Sequence, residues 1–248
     1  MGRTLCVVNQ KGGVGKTTTA VNLAAALAKA GAQTLLVDLD PQCNATSGLG
    51  QSPTTAHPLV AATPIKPSLC PTATKGLDLL PGSRAFRDVE ALTRDDDGQA
   101  ALIRHQLAAG LNGYDFVLID CPPSVGPLTR TALASSTEVL MPIQCEYFAM
   151  EGLAQMIDVI RQVMQTRASQ LQFGGILLTM YDPLLELTYE VEAEVRDFFG
   201  EIVYQTVIPR DVTLAEAPSH GKSVLDYAPR SRGARGYVEL CMEVLERE

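Results

Sequence analysis

Residues 11–18 read Lys-Gly-Gly-Val-Gly-Lys-Thr-Thr, and this stretch decides the fold of the chain. A short apolar run typical of a strand, residues 4–9, precedes it, and an Ala- and Leu-rich run typical of a helix, residues 17–30, follows it. A glycine-rich loop between a strand and a helix N-terminus is the setting of a phosphate-binding loop. Glycines allow tight turns whose backbone N–H groups face phosphate, and the helix end adds a partial positive charge. The stretch therefore predicts a nucleotide site.

The residue types in this loop suit phosphate chemistry. Lys16 is expected to reach the β- and γ-phosphates, and the Thr17 hydroxyl is expected to bind Mg²⁺. The usual pattern G-x-x-x-x-G-K-[ST] would place a glycine where Gln10 stands, and a second lysine, Lys11, lies five residues before Lys16. The loop residues predicted to line the nucleotide are Lys11, Gly12, Gly13, Val14, Gly15, Lys16, Thr17 and Thr18.

Three aspartates follow apolar runs that read as buried strands. Asp38 and Asp40 come after the apolar run 34–37, and Asp120 is the last residue of the predicted strand 114–120. In an open parallel sheet, ligands bind at the carboxyl ends of the strands, so these carboxylates are expected on the same edge as the loop. Asp120 and Asp38 are predicted to hold the Mg²⁺ shell, and Asp40 to orient or polarise the attacking water. A capping or turn-forming role for one of them is the alternative.

Alternating strand and helix patterns along the chain predict a doubly wound α/β domain, with a mostly parallel sheet flanked by helices. Besides the first strand, the predicted strands are residues 34–37, 77–80, 114–120, 138–143, 173–180 and 202–208. Besides the first helix, the predicted helices are residues 84–94, 98–109, 129–135, 149–167, 188–199 and 233–247. Residues 51–75 carry five prolines and are interpreted as an excursion over the surface. The acidic run 95–97 is interpreted as a solvated loop or helix cap.

The amino-acid composition limits the kinds of protein that this chain can be. The 248 residues are 46% hydrophobic and 19% charged, as in a globular protein with one sizeable core. No run approaches the roughly 20 apolar residues of a membrane span, and a predicted strand starts almost at the first residue, so no secretory signal is expected. Six single cysteines without a C-x-x-C pair indicate reduced thiols in the cytoplasm. With a net charge of −8, any binding of DNA needs a local basic patch.

The loop K-G-G-V-G-K-T-T resembles the deviant Walker A motif of the ParA/MinD ATPases. The resemblance continues through most of the chain and is closest to the small chromosomal, Soj-like ParA branch. It implies that residues 1–248 form a single P-loop ATPase domain of the deviant Walker A type. The further motifs that carry it are VDLDPQ at 37–42, IDCPP at 119–123, QCEY at 144–147, LTMYD at 178–182 and IPR at 208–210.

The resemblance also implies cofactors and residue roles. The cofactors are ATP or ADP with Mg²⁺, and Lys11, Lys16 and Asp40 are the implied catalytic residues. Asp40 matches the family's hydrolysis-critical aspartate, and Lys11 matches a lysine that crosses a dimer interface to the partner's phosphates. A solvated loop lysine is the alternative for Lys11. The adenine is expected near Met180, Pro209, Arg210 and Asp211, although many relatives carry asparagine where Asp211 stands.

A ParA-type ATPase would bind double-stranded DNA non-specifically as its ATP-bound homodimer, through phosphate contacts. Thr213 stands where relatives often carry a basic residue, so the neighbouring loop is less basic here. A solvated, helix-capping loop is the alternative for the densest basic run, residues 230–235. A ParB-like partner is implied as the activator of hydrolysis, and the implied location is the cytoplasm, on the nucleoid. The candidate DNA-binding residues are Arg210, Lys222, Arg230, Arg232 and Arg235.

Membrane attachment is the competing interpretation within the family. MinD-like relatives end in a basic amphipathic helix, whereas residues 237–248 carry four glutamates and one arginine, so no membrane partner is expected. The expected function is ATP-driven partition of a chromosome or plasmid. A ParA-like positioner of a protein cargo, and a small-molecule ligase-type P-loop enzyme, stay open as alternatives.

Overall fold

One sheet of eight strands runs through the described part of the chain. The computed structural model describes residues 2–61, 63–86, 113–146, 153–166 and 170–247. The strand order is β3-β4-β2-β5-β1-β6-β7-β8, and every neighbouring pair is parallel except β3 with β4. The strands are β1 Arg3–Val7, β2 Thr34–Asp38, β3 Cys70–Pro71, β4 Leu77–Leu80, β5 Phe116–Asp120, β6 Glu138–Gln144, β7 Gln172–Tyr181 and β8 Val203–Pro209.

Helices cover both faces of this sheet. Short 3₁₀ turns lie at Lys66–Ser68, Gly200–Ile202 and Ala217–His220. The described α-helices, numbered in chain order, are α1 Lys16–Lys29, α2 Asn44–Gly48, α3 Pro58–Ala61, α4 Pro127–Ala134, α5 Leu153–Met164, α6 Glu186–Phe199, α7 Val212–Glu216, α8 Val224–Tyr227 and α9 Arg232–Glu246. The predicted doubly wound α/β architecture is confirmed.

The central strands are buried on both faces, which explains their continuous apolar sequences. One face packs against α4, α5 and α6, with Met156 and Val195 among the residues of that core. The other packs against α1 and α9, through Leu23 and Leu27 of α1 and Tyr237 of α9. Because parallel strands end at a common edge, this arrangement collects the segments after β1, β2 and β5 at one rim.

The structure also differs from the sequence prediction. Helices α2, α3, α7 and α8 were not predicted, because four or five residues are too few to show a helical period, and neither was the two-residue strand β3. Helices α4 and α6 begin two residues earlier than predicted, the first with a proline at its N-terminal turn. Predicted helix 98–109 and the acidic run 95–97 lie outside the described residues, as does most of predicted helix 84–94.

The proline-rich segment 51–75 is partly exposed, as predicted for a surface excursion, but parts of it reach the interior. Leu59 of α3 and Ile65 are both buried, and they belong to the same core as Phe86. Cys70 and Pro71 form β3, which pairs antiparallel with β4 at the edge of the sheet. The segment is therefore tied to the sheet at one end and to the core in its middle.

A hydrogen bond between two buried hydroxyls joins α1 to α9. The Tyr237 Oη and Thr19 Oγ1 atoms lie 3.2 Å apart, and both residues are almost fully buried. Tyr237→Phe should lower the free energy of unfolding by about 1–2 kcal/mol, because it leaves a buried hydroxyl without this partner. Tyr189→Phe is the matched control at a half-exposed tyrosine and should cost less than about 0.5 kcal/mol. Urea unfolding of both variants measures the difference, and equal costs would contradict a role for this bond.

Candidate nucleotide site

The loop between β1 and α1 has the backbone geometry of an anion cradle. Gly13 and Gly15 adopt positive φ angles of 78° and 86°, a region that glycine occupies without strain. Gly15 is the N-cap of α1 and makes no side-chain cap, so the first turn of the helix begins directly at Lys16. The first N–H groups of a helix have no intrahelical acceptor and are available to phosphate oxygens.

Two side chains that sequence reasoning left without a role hold this loop against the sheet. The Thr179 hydroxyl at the end of β7 lies 2.9 Å from the Val14 carbonyl oxygen and 3.0 Å from that of Ile143. The Asn9 amide donates to a β6 carbonyl at 2.8 Å, and its oxygen accepts from the Lys11 N–H at 3.0 Å. The motif at 178–182 contains Thr179, but only the fold shows that it faces the loop.

The two lysines of the loop occupy different environments. Lys16 is buried, and its Nζ donates to the Lys11 carbonyl oxygen at 2.9 Å. Burial lowers the pKa of Lys16, against the raising effect of the Asp120 and Asp40 charges. The Lys11 side chain is 39% exposed, and its Nζ lies 3.6 Å from Oε2 of the half-exposed Glu146. An ion pair this exposed is weak, so the Lys11 side chain can leave it at little cost.

Asp120 is the carboxylate best suited to a divalent cation. It is fully buried, and no donor in the described residues meets hydrogen-bond geometry with either of its carboxylate oxygens. Burial raises the pKa of Asp120, the Asp38 charge raises it further, and the Thr17 hydroxyl and Lys16 oppose that rise. Buried oxygen ligands beside a threonine hydroxyl and a phosphate loop fit Mg²⁺. The donor set therefore agrees with the predicted roles of Asp120 and Thr17.

Asp38 pairs in register with Asp120 across β2 and β5, but protein donors already engage its carboxylate. Oδ1 accepts from the Asp40 N–H at 3.2 Å, and Oδ2 accepts from the Thr46 N–H and hydroxyl at 2.8 and 2.6 Å. Burial raises the pKa of Asp38 to about 6, although these hydrogen bonds act in the opposite direction. Asp38 thus anchors the segment that carries Asp40 and begins α2.

Asp40 lies in the same charged cluster. Its Oδ1 accepts from the Gln42 N–H at 2.8 Å, and the residue is buried. Its charge acts on the pKa of Lys16, Asp38 and Asp120. The fold therefore collects the lysine of the loop and all three predicted aspartates at one rim of the sheet.

A cavity of about 360 Å³ with a mostly apolar lining adjoins the phosphate loop, as is common for small-molecule sites. Gly15 and Thr18 form its loop side. The predicted base-binding residues line the rest, together with Leu214 and Tyr237. Met180 has a positive φ of 52°, which is unusual for a residue with a side chain and is most often found at functional sites. The predicted residues brought together here are Met180, Pro209, Arg210 and Asp211.

The predicted basic residues are all exposed. Ser231 caps α9 by accepting from the Ala234 N–H at 3.1 Å, and the cap sets Arg232 and Arg235 in the first turns of the helix. Arg232 Nη2 lies 3.4 Å from the Arg210 carbonyl oxygen, so the basic run adjoins the cavity. In the described parts of the chain, no helix is long and apolar enough to cross a membrane.

Thr46 is the residue on which the position of Asp38 depends. Its hydroxyl donates to Asp38 and accepts from the Gly82 N–H at 2.8 Å. Thr46→Val should lower the free energy of unfolding by about 2–4 kcal/mol, because a charged carboxylate and a buried N–H each lose a partner. Thr46→Ser keeps the hydroxyl and loses one methyl group, so about 1 kcal/mol is expected. Urea unfolding measures both, and equal losses for Val and Ser would contradict the anchoring role.

The chain is similar in sequence to known proteins over most of its length. A sequence profile described as an AAA domain matches residues 2–173, more than half of the chain. The sporulation initiation inhibitor protein Soj of Bacillus subtilis is 44% identical over 249 residues, covering 98% of each chain. The chromosome-partitioning ATPase Soj of Thermus thermophilus is 46% identical over 246 residues, covering 99% of this chain and 96% of the relative.

Solved structures with the same fold contain nucleotide and magnesium. Cobyrinic acid a,c-diamide synthase from Mycobacterium smegmatis, with ADP and magnesium, is 35% identical with a TM-score of 0.84, covering 99% of this chain and 94% of that one. The septum site-determining protein MinD of Pyrococcus horikoshii, with Mg-ADP, is 27% identical with a TM-score of 0.79, covering 99% and 97%. ATP or ADP and Mg²⁺ are therefore the cofactors, and the enzyme hydrolyses ATP. The chain belongs to the ParA/MinD family of deviant Walker A P-loop ATPases.

Proposed function

We propose that this ATPase partitions a chromosome or plasmid by pairing two ATP-bound copies that bind DNA and separate after hydrolysis. The observation that carries the proposal is the division between the two loop lysines. Lys16 is buried in the loop, whereas the Lys11 side chain is 39% exposed at its rim and pairs there with the exposed Glu146. The Soj relatives, one of them named as a chromosome-partitioning ATPase, support the same function.

Within one copy, the residues at the rim have different roles in ATP hydrolysis. The loop amides and Lys16 hold the phosphates, and Thr17 and Asp120 hold Mg²⁺. The bound Mg-ATP supplies the phosphoryl group and the divalent charge that neutralises it. Asp40 orients the attacking water through the carboxylate oxygen that Gln42 does not engage. Asp38 fixes the backbone of Asp40 and adds negative charge beside Asp120, which would hold the Mg²⁺.

Lys11 acts in the partner copy. Leaving Glu146 costs little, because both side chains are well exposed. A lysine that crosses to the other copy would neutralise charge that develops in phosphoryl transfer, as an arginine finger does. Pairing then depends on the γ-phosphate, which draws both copies' lysines inward. Hydrolysis removes this attraction and releases the pair.

The basic run supplies the DNA contact. Arg230, Arg232 and Arg235 are exposed beside the cavity in a chain whose net charge is −8. Contacts from arginine to phosphate are independent of base sequence and depend steeply on salt. Arg210 adjoins this run through its carbonyl oxygen, which lies 3.4 Å from Arg232 Nη2, and Lys222 is a further exposed candidate. Pairing of two copies would double the number of contacts.

The setting of the activity follows from the family relationship. A ParB-like partner is the proposed activator of hydrolysis, and the cytoplasm, on the nucleoid, is the proposed location. No membrane partner is proposed, because the outer face of the last helix carries glutamates Glu239 and Glu246. A protein cargo carried on the nucleoid is the second candidate, since the same switch would serve it.

A ligase-type enzyme is the alternative from another class. The cobyrinic acid a,c-diamide synthase structure shares the fold at 35% identity, so the fold alone does not separate the two functions. The Soj relatives are more similar in sequence, at 44% and 46% identity. That difference favours partition over amide synthesis.

A salt titration of binding to random-sequence duplex DNA tests the proposal. Binding is expected with ATP and Mg²⁺ but not with ADP. The logarithm of the observed binding constant should fall linearly with the logarithm of the salt concentration, with a slope of about −3 to −6 for three phosphate contacts per copy. Joint replacement of Arg230, Arg232 and Arg235 by alanine should remove most of that slope. Replacement of Arg130, Arg161 and Lys75 removes the same charge elsewhere and should change binding little. Nucleotide-independent binding, or none in any state, would contradict the proposal.

A further inference from the structure

The carboxylate of Asp211 bridges two helices that start beside the nucleotide cavity. As the N-cap of α7, its Oδ1 accepts from the Thr213 N–H at 3.0 Å and from the Thr213 hydroxyl at 2.9 Å. Its Oδ2 accepts from the Gly233 N–H in the first turn of α9 at 2.8 Å. Both oxygens are thus engaged by protein donors, although the residue lines the cavity.

Further contacts join the same two segments. Leu214 of α7 lines the cavity and also lies against Gly233, where a Cβ atom would approach the Leu214 Cγ to 2.7 Å. Any larger residue at 233 would force the Leu214 side chain to move. The Arg210 carbonyl oxygen accepts from Arg232 Nη2 at 3.4 Å. The wall of the cavity, residues 210–214, therefore touches the start of α9 at three points.

Asp211 is ionised in this setting. Burial alone would raise the pKa of Asp211, but hydrogen bonds from the Gly233 and Thr213 amides and the Arg232 charge outweigh it and lower the pKa. An ionised carboxylate has lone pairs for both helix ends, and it is favourable at a helix N-terminus. A neutral amide at this position has one acceptor oxygen and can serve only one of the two helix ends well.

We propose that Asp211 is a positioning residue that links occupancy of the base cavity to the arginine-bearing start of α9, and that it does not itself recognise the base. A base in the cavity contacts the 210–214 wall, and the Asp211–Gly233 hydrogen bond carries any ordering of that wall to residues 231–235. The consequence for DNA rests on the proposed function, since Arg232 and Arg235 belong to this first part of α9. The link itself is independent of what the arginines bind.

The test compares wild type with Asp211→Asn by amide hydrogen exchange, using the full chain with ATP and Mg²⁺ or without nucleotide. The Gly233 amide is itself a donor in the bridge, so exchange over residues 231–235 reports the contact directly. In wild type, ATP should slow this exchange by about tenfold, and in Asp211→Asn most of that slowing should be lost. The affinity for ATP, measured by calorimetry, should stay nearly unchanged, because the loop holds the phosphates.

Two further variants separate the bridge from other effects. Asp211→Ala removes both contacts and should lose the ATP-dependent slowing completely. Asp115→Asn removes the same charge at an exposed site, where the carboxylate accepts from the Gln33 N–H, and it should behave as wild type. The proposal is overturned if Asp211→Asn keeps the slowing, if wild type shows none, or if Asp211→Asn loses ATP affinity about tenfold with the slowing intact. The last result would assign Asp211 to base recognition.

Failure of this proposal is distinguishable from failure of the proposed function. If ATP slows amide exchange over residues 231–235 in wild type but wild type binds no DNA, the proposed DNA function is contradicted and the link through Asp211 stands. If wild type binds DNA only with ATP, and Asp211→Asn shows the same slowing of exchange and the same DNA binding, the proposed function stands and the link through Asp211 is contradicted.

Discussion

Two carboxylates, Asp38 and Asp120, end neighbouring strands in register and are both buried, and the rest of the site depends on how their charges are held. Like charges side by side away from water are costly unless donors or cations compensate them. Here the compensation is divided. Thr46 and the Asp40 N–H satisfy Asp38, whereas Lys16 and the Thr17 hydroxyl act on Asp120. One carboxylate is thus a structural anchor, and the other remains open to a cation.

The parallel sheet brings these two carboxylates and the phosphate loop to the same edge. The strands before the loop, before Asp38 and before Asp120 are adjacent, in the order β2-β5-β1, so their carboxyl ends bring three loops together. The loop is then braced from the other side by Thr179 of β7 and by Asn9 against β6. The groups that form and brace the loop thus come from both halves of the sheet.

The fold and the phosphate loop could be predicted from the sequence, because buried strands, the first helix and the glycine-rich turn leave local patterns. The position of Asp38, Asp40 and Asp120 at one edge of the sheet could be predicted too, because these residues end or follow apolar strands. Thr46 could not be predicted, since its role depends on the approach of Gly82, which follows β4 in a separate part of the chain. The bridge through Asp211 was missed for the same reason, because Gly233 lies 22 residues further on. Side chains that join distant segments leave no periodic signal.

Sedimentation velocity measures whether ATP joins two copies of the chain through Lys11, as proposed. Wild type and Lys11→Ala would be compared at saturating ATP with Mg²⁺, with ADP, and without nucleotide, under conditions in which hydrolysis is slow relative to the run. We expect a species of twice the chain mass for wild type with ATP only, and a single-chain species for Lys11→Ala throughout. Wild type that stays a single chain at saturating ATP, or Lys11→Ala that pairs as wild type does, would contradict the proposal.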